Sequence, residues 1–212
     1  MSSRGRFITL EGGEGSGKST LARRLKDALE ARGRNVRLTR EPGGTPAAEA
    51  LRSMILSPPD GVTFTPLVEA LLFYAARRDH LERLIRPELS TGVWVISDRF
   101  SDSTRAYQAA AGGALGEEIE ALERLCVGSS GPDLTLILDL PLDAAGGRVR
   151  ARGAGLDAIE GRGEAYHARV REAFLEIAQR EPQRCVVLDA SLPPEALCDQ
   201  ALAVIDQRLG AP

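Results

Sequence analysis

Between positions 12 and 19 the chain reads Gly-Gly-Glu-Gly-Ser-Gly-Lys-Ser, directly after the apolar run that ends at Leu10 and directly before a segment of helical periodicity. A GxxxxGK[ST] pattern in a strand-to-helix turn constrains the fold more tightly than any other feature of this sequence. Glycines let such a loop curl until successive backbone N–H groups converge on an anion, at the positive end of the following helix. From the chain's own residue frequencies the pattern would arise by chance about 0.002 times in a sequence this long. Gly12, Gly13, Glu14, Gly15, Ser16, Gly17, Lys18, Ser19 and the adjoining Thr20 are therefore expected to hold the phosphates of ATP or GTP. Lys18 would reach the outer phosphates, and the Ser19 hydroxyl would serve Mg²⁺, which takes few protein ligands. Lys18 and Lys26 are the only lysines beside 25 arginines. The compact point charge of an ammonium is evidently wanted at position 18.

Apolar runs of strand length recur at Arg6–Leu10, Asn35–Thr39, Val93–Ser97, Leu134–Leu138 and Cys185–Leu188. Helix-period segments lie between them. In the first, Leu21, Leu25, Ala28 and Leu29 share a face, and Gly33 stands where a helix would stop. This alternation predicts an α/β chain of the P-loop NTPase fold: a five-stranded parallel sheet flanked by helices on both sides, with right-handed crossovers. A length of 212 residues suits one domain with its own core. Composition excludes several other classes. The net charge of −3 and the lack of any long basic run argue against a nucleic-acid partner. No apolar run approaches the ~18 residues of a membrane span, so a cytoplasmic location is expected. Cys126, Cys185 and Cys198 show no paired spacing and only two histidines are present, which leaves no zinc set and predicts buried free thiols.

Open parallel sheets place ligands beyond the carboxyl ends of their strands. Those ends run into Glu11, Arg40-Glu41, Asp98-Arg99, Asp139 and Asp189. Asp98 could order Mg²⁺-bound water while Arg99 offers a bidentate fork to a second phosphate, or the two could form a structural salt bridge. Phe73 and Arg77, four apart on one helix face, suit a flat ring with an exocyclic oxygen. Periodicity alone allows Phe73 in the core and Arg77 on its rim. The segment 144–163 sets Arg148, Arg150 and Arg152 among glycines and reads as a mobile basic lid or as a solvated helix face. Phosphoryl transfer needs such a lid, since positioning and charge neutralisation do most of its catalysis.

Together the motifs resemble thymidylate kinases of the bacterial type. The resemblance rests on FITLEGGEGSGKST at 7–20, TREPGGT at 39–45, LLFYAARRDH at 71–80, WVISDRFSDSTRAYQ at 94–108, PDLTLILDL at 132–140 and RVRARG at 148–153. It implies an enzyme that transfers the γ-phosphoryl group of ATP to dTMP with Mg²⁺. Gly12 to Thr20 would hold ATP, Ser19 and Asp98 would place the metal, and Arg99 would bind the dTMP phosphate. Phe73 would stack on thymine, Arg77 would bond its O4, Ser103 and Gln108 would lie near the base, and Tyr107 would crowd a 2′-hydroxyl. Glu14 would meet the 3′-hydroxyl. Without a basic residue beside Glu14, catalysis would fall to Lys18, Arg99 and the lid arginines 148, 150 and 152. Relatives often read LDRIE where this chain has Leu156-Asp157-Ala158-Ile159-Glu160, so Arg162 is the nearest substitute for an arginine missing at 158. The resemblance also implies a homodimer, for which Leu71, Leu72, Ala75, Leu81, Leu84 and Ile85 could supply a face or could equally be monomer core. Two rivals remain open at this stage: a kinase for another small acceptor, and a P-loop ATPase switch.

Overall fold

The computed structural model describes residues 4–151 and 157–210, without the side chains of 148–151. Strands β1 (Phe7–Glu11), β2 (Val36–Arg40), β3 (Trp94–Asp98), β4 (Leu134–Asp139) and β5 (Cys185–Asp189) form one parallel sheet in the order β2-β3-β1-β4-β5. Every strand runs one residue further at its carboxyl end than hydrophobicity predicts. The charged residue there still joins the ladder: Arg40 is in register with Asp98, Glu11 with Ile137, and Asp139 with Asp189. Order reverses around β1, so the loop after β1 and the turn after β3 open onto one crevice.

Helices α1 (Lys18–Ala31), α2 (Pro46–Leu56), α3 (Pro66–His80), α4 (Arg86–Ser90), α5 (Ser101–Thr104), α6 (Gly116–Cys126), α7 (Leu142–Ala151), α8 (Glu164–Arg180) and α9 (Pro194–Leu209) connect the strands. α1 is preceded by Gly17 at its N-cap, whose φ of +94° suits glycine, and buries Leu21, Leu25 and Leu29. It ends in a Schellman arrangement, with Gly33 N–H donating to Glu30 O at 2.9 Å and Arg34 N–H to Leu29 O at 3.0 Å. Alternation along the strands sends Ile8, Leu10, Ile96 and Leu136 toward α1 and α9. Phe7 and Val95 pack with Tyr74 and Ile119 on the opposite face, and Ile137 packs there with Phe174. α3 continues through a π-helical turn, Leu81–Ile85, and α5 through another, Arg105–Ala110.

The face expected for a partner divides in two. Leu81, Leu84 and Ile85 belong to the monomer core. Leu71 is 47% exposed, Ala75 is exposed and Leu72 is half-buried. Cys185 and Cys198 are buried free thiols, whereas Cys126 is only half-buried. No described helix is long and apolar enough to cross a membrane.

Candidate active site

Gly12 opens the phosphate loop at a φ of +133°, and a Cβ there would lie 2.4 Å from the carbonyl oxygen of Leu138. Only glycine lets the loop pass so close to β4. Inside the loop the Ser16 hydroxyl donates to Gly13 O at 2.9 Å. Lys18 turns back into the same ring, with Nζ donating to Gly12 O at 3.1 Å and to Gly13 O at 2.8 Å. Burial, helped by the Arg99 charge, pulls this ammonium down to about 8. The Ser19 hydroxyl donates to Asp98 Oδ2 at 2.6 Å. A hydroxyl and a carboxylate oxygen side by side at the cavity wall are hard donors of the kind Mg²⁺ accepts when phosphates supply further ligands. Among the described residues, no group of three His, Cys, Asp or Glu side chains could cage a metal.

Arg99, next to Asp98 at the end of β3, sits at a φ of +72°, the only described non-glycine residue with positive φ. Such backbone is costly and persists where its surroundings fix it. Phe100 N–H and the Ser103 hydroxyl donate to the buried Glu11 carboxylate at 2.8 and 2.6 Å, closing the turn from below. Burial and the Asp102 charge push the Glu11 carboxyl up to about 7. The Arg99 guanidinium pairs with Glu14, donates to Gly12 O at 3.1 Å and lies 5.0 Å from the Tyr107 ring centre. Burial opposes its charge, but Glu14, Tyr107, Asp98 and Glu11 together outweigh that and hold the group above its ordinary value. The Tyr107 hydroxyl also donates to Glu14, at 3.1 Å. Arg99, Ser103 and Tyr107, at steps of four in the chain, thus meet the distant Glu14 at one point.

Phe73 and Arg77 lie further along the cavity, and their burial is the reverse of the core-and-rim alternative. Phe73 is half-buried at the wall while Arg77 is 1% exposed. Arg77 donates through Nε to Glu41 Oε2 at 2.8 Å, and through its terminal nitrogens to Phe100 O at 3.0 Å and Thr104 Oγ1 at 3.2 Å. Burial works against its charge, yet Glu41, with Tyr74 and Glu123, raises it above the ordinary value. His80 Nδ1 bonds the other Glu41 oxygen at 3.0 Å, and Nε2 bonds Thr39 Oγ1 at 2.6 Å. The TREPGGT stretch therefore serves to fix the arginine.

A single cavity of about 710 Å³ connects these groups, from Leu192 and Leu197 at one end, past Lys18 and Asp98, to Phe73 and Gln108 at the other. Arg52 and Thr104 also line it and were not singled out by sequence, and so does Arg40, one of the charged strand ends. Of the lid, Arg152 lies outside the described residues, as do the side chains of Arg148 and Arg150. The segment after it is placed: Ala158 N–H donates to Leu56 O at 3.2 Å, and Asp157, Ile159 and Glu160 line the cavity. Arg162 is bound instead by Glu69 and by the Tyr166 hydroxyl at 2.9 Å.

Residues 10–201 match the sequence model of the thymidylate kinase family. A thymidylate kinase of Caulobacter vibrioides is 52% identical over 97% of this chain and 98% of its own, and one of Bradyrhizobium diazoefficiens is 46% identical over 98% and 92%. A crystal structure of thymidylate kinase from Ehrlichia chaffeensis superimposes with a TM-score of 0.77 at 32% identity, covering 95% of this chain and 99% of that one. On a family match that spans nearly the whole sequence, with relatives this similar along their full length, the chain belongs to the thymidylate kinase family.

Proposed function

We propose that the protein transfers the γ-phosphoryl group of ATP to the phosphate of dTMP, giving dTDP and ADP, as a cytoplasmic homodimer using Mg²⁺. What carries this reading is the continuity of one cavity from the phosphate loop to the Arg99–Glu14–Tyr107 cluster and on to Phe73 and Arg77. The loop amides and Lys18 grip the donor phosphates. Lys18 leaves its carbonyl partners when an anion enters the ring, which offsets the burial of its charge. Arg99 holds the acceptor phosphate so that one of its oxygens faces the γ-phosphorus in line. That oxygen forms the new P–O bond as the β–γ bridging bond breaks and ADP carries away the electron pair. An anionic phosphate oxygen needs no strong base, so positioning and charge neutralisation do the work. Ser19 and Asp98 would hold Mg²⁺, which when bound screens the donor phosphates.

Residues 1–212 act as one kinase domain whose lid, at about 144–163, closes over the two anions and excludes water. Arg148, Arg150 and Arg152 then face the migrating group. Glu14 and Tyr107 face the sugar, and Tyr107, its hydroxyl tied to Glu14, would crowd a 2′-hydroxyl. Phe73 stacks on the base, Arg77 reads its C4 oxygen, and Ser103 and Gln108 line the pocket. A coupled ADP-release assay tests the reading, with Mg-ATP and dTMP, dUMP, UMP, CMP, AMP or gluconate at equal concentration. Strong preference for dTMP is the expected result. Preference for another acceptor, or ATP hydrolysis that needs none, would overturn it.

A further inference from the structure

Glu69 is 7% exposed, in the first turn of α3, and neither of its oxygens serves the phosphate chemistry. Oε2 accepts from Gln108 Nε2 at 3.2 Å, and Oε1 is paired with Arg162. Gln108 is 1% exposed, yet it lines the cavity at its base end together with Phe73 and Thr104. A carboxylate only accepts, so the Gln108 amide can meet Glu69 only through its NH₂ group. The amide oxygen is then the end turned to the pocket. Among the described residues no donor bonds that oxygen, and it is not sealed off from the cavity, since the only buried side-chain polar atom without a partner is Arg34 Nε.

Resting on the dTMP reading above, we infer that Glu69 is a positioning residue that locks the Gln108 amide with its acceptor facing the base, and so selects an imide N–H over a ring nitrogen lone pair. Thymine carries a proton on N3, flanked by two keto groups, and donates to such an oxygen. Cytosine-type rings present a lone pair at N3 and meet it oxygen to nitrogen, which leaves two acceptors facing each other in a dry pocket. Arg162 fixes the second carboxylate oxygen and is itself oriented by Tyr166, whose hydroxyl donates to Tyr107 O at 2.8 Å. The carboxylate therefore cannot swing away from Gln108 without breaking an ion pair at the end of the lid.

The test compares kcat/KM for dTMP and for 5-methyl-dCMP, which differ only at C4 and N3. Glu69→Gln keeps the shape but offers both a donor and an acceptor, so the Gln108 amide gains the inverted orientation with NH₂ toward the base. The dTMP preference is expected to narrow about tenfold, with KM for ATP unchanged within about twofold. Gln108→Met has no amide to orient, so adding Glu69→Gln to it should leave the ratio where Gln108→Met alone puts it. Arg162→Gln, which loosens the same carboxylate, should narrow the ratio in the same direction by a smaller factor. Equal loss toward both substrates in Glu69→Gln, or the same narrowing in the Gln108→Met background, would overturn the inference. Should Glu69→Gln fail to fold, an unchanged ratio in Arg162→Gln would do so. A wild-type enzyme that ignores dTMP would instead refute the dTMP reading itself.

Discussion

At Arg99 the chain accepts left-handed backbone and a half-buried charge in one residue. Both costs are offset by Glu14 and by the Glu11 shelf under the turn. Arg99→Ala removes the fork that would hold the acceptor phosphate while leaving Lys18 and the loop in place. KM for dTMP is expected to rise about 10- to 100-fold and KM for ATP to change little, as steady-state kinetics would reveal. Equal damage to both would displace Arg99 from the acceptor side. Glu11 makes a separate claim about stability. Its carboxyl stands at about 7 in the fold against 4.5 for the ordinary group, because of burial and Asp102. Between those two values the folded chain holds a proton that the unfolded chain has released, so stability falls as pH rises through that window. Above pH 7 the penalty reaches about 3 kcal/mol. Glu11→Gln carries no such charge and still accepts from the Phe100 N–H. Thermal melts of the two proteins should nearly coincide near pH 4.5 and separate in favour of the variant by pH 8. A gap that stays constant with pH would mean that the carboxyl does not titrate there.

The β1–α1 loop works as one element, and its glycines are not equivalent. Gly12 combines a φ of +133° with the Leu138 carbonyl 2.4 Å from where a Cβ would stand, whereas a Cβ on Gly13 meets nothing within 4 Å. Gly12→Ala must therefore push β1 and β4 apart or distort the loop, at a cost of about 3 kcal/mol. For a chain of this size that lowers Tm by about 6–12 °C in the nucleotide-free protein, while Gly13→Ala should stay within about 2 °C. Two similar melting points would refute the distinction. The pattern GxxxxGK[ST] fixes a glycine at position 12 and leaves position 13 open, but it records only the need for curvature and not which strand the curve touches. The five strands were legible in their order of appearance and at their cores, since both faces of a parallel sheet are buried and read as apolar runs. Their last residues were not, because Glu11, Arg40, Asp98, Asp139 and Asp189 look like loop by hydropathy while their backbones still belong to the ladder.

For the molecule as a whole, the sequence disclosed the phosphate loop and the neighbouring Asp98 and Arg99 at the end of β3, which are local in the chain. It could not disclose Glu69, whose partners Gln108 and Arg162 come from distant segments. One signal was available: Glu69, Phe73 and Arg77 follow one another at steps of four on α3 and share its inner face. On the opposite side of that helix Val68, Leu71, Ala75 and Arg78 form a second stripe. Val68 is 40% and Leu71 47% exposed, and at the far end Arg78 donates to the backbone of Leu125, itself 73% exposed. Exposed branched aliphatics in a row on a well-packed helix are costly to leave in water, and a second copy of the same stripe would cover them across a two-fold axis. The homodimer proposed above would then use the outer face of α3, and Leu81, Leu84 and Ile85, sealed in the monomer, would take no part. Sedimentation should give a dimer for the wild type and a monomer for Val68→Glu/Leu71→Glu, because two carboxylates per copy would be stranded in an apolar contact. The variant should keep its fold, since both side chains point away from the core that Tyr74 and Ala70 build. A wild-type monomer would refute the dimer, and a variant that still sediments as one would move the interface elsewhere.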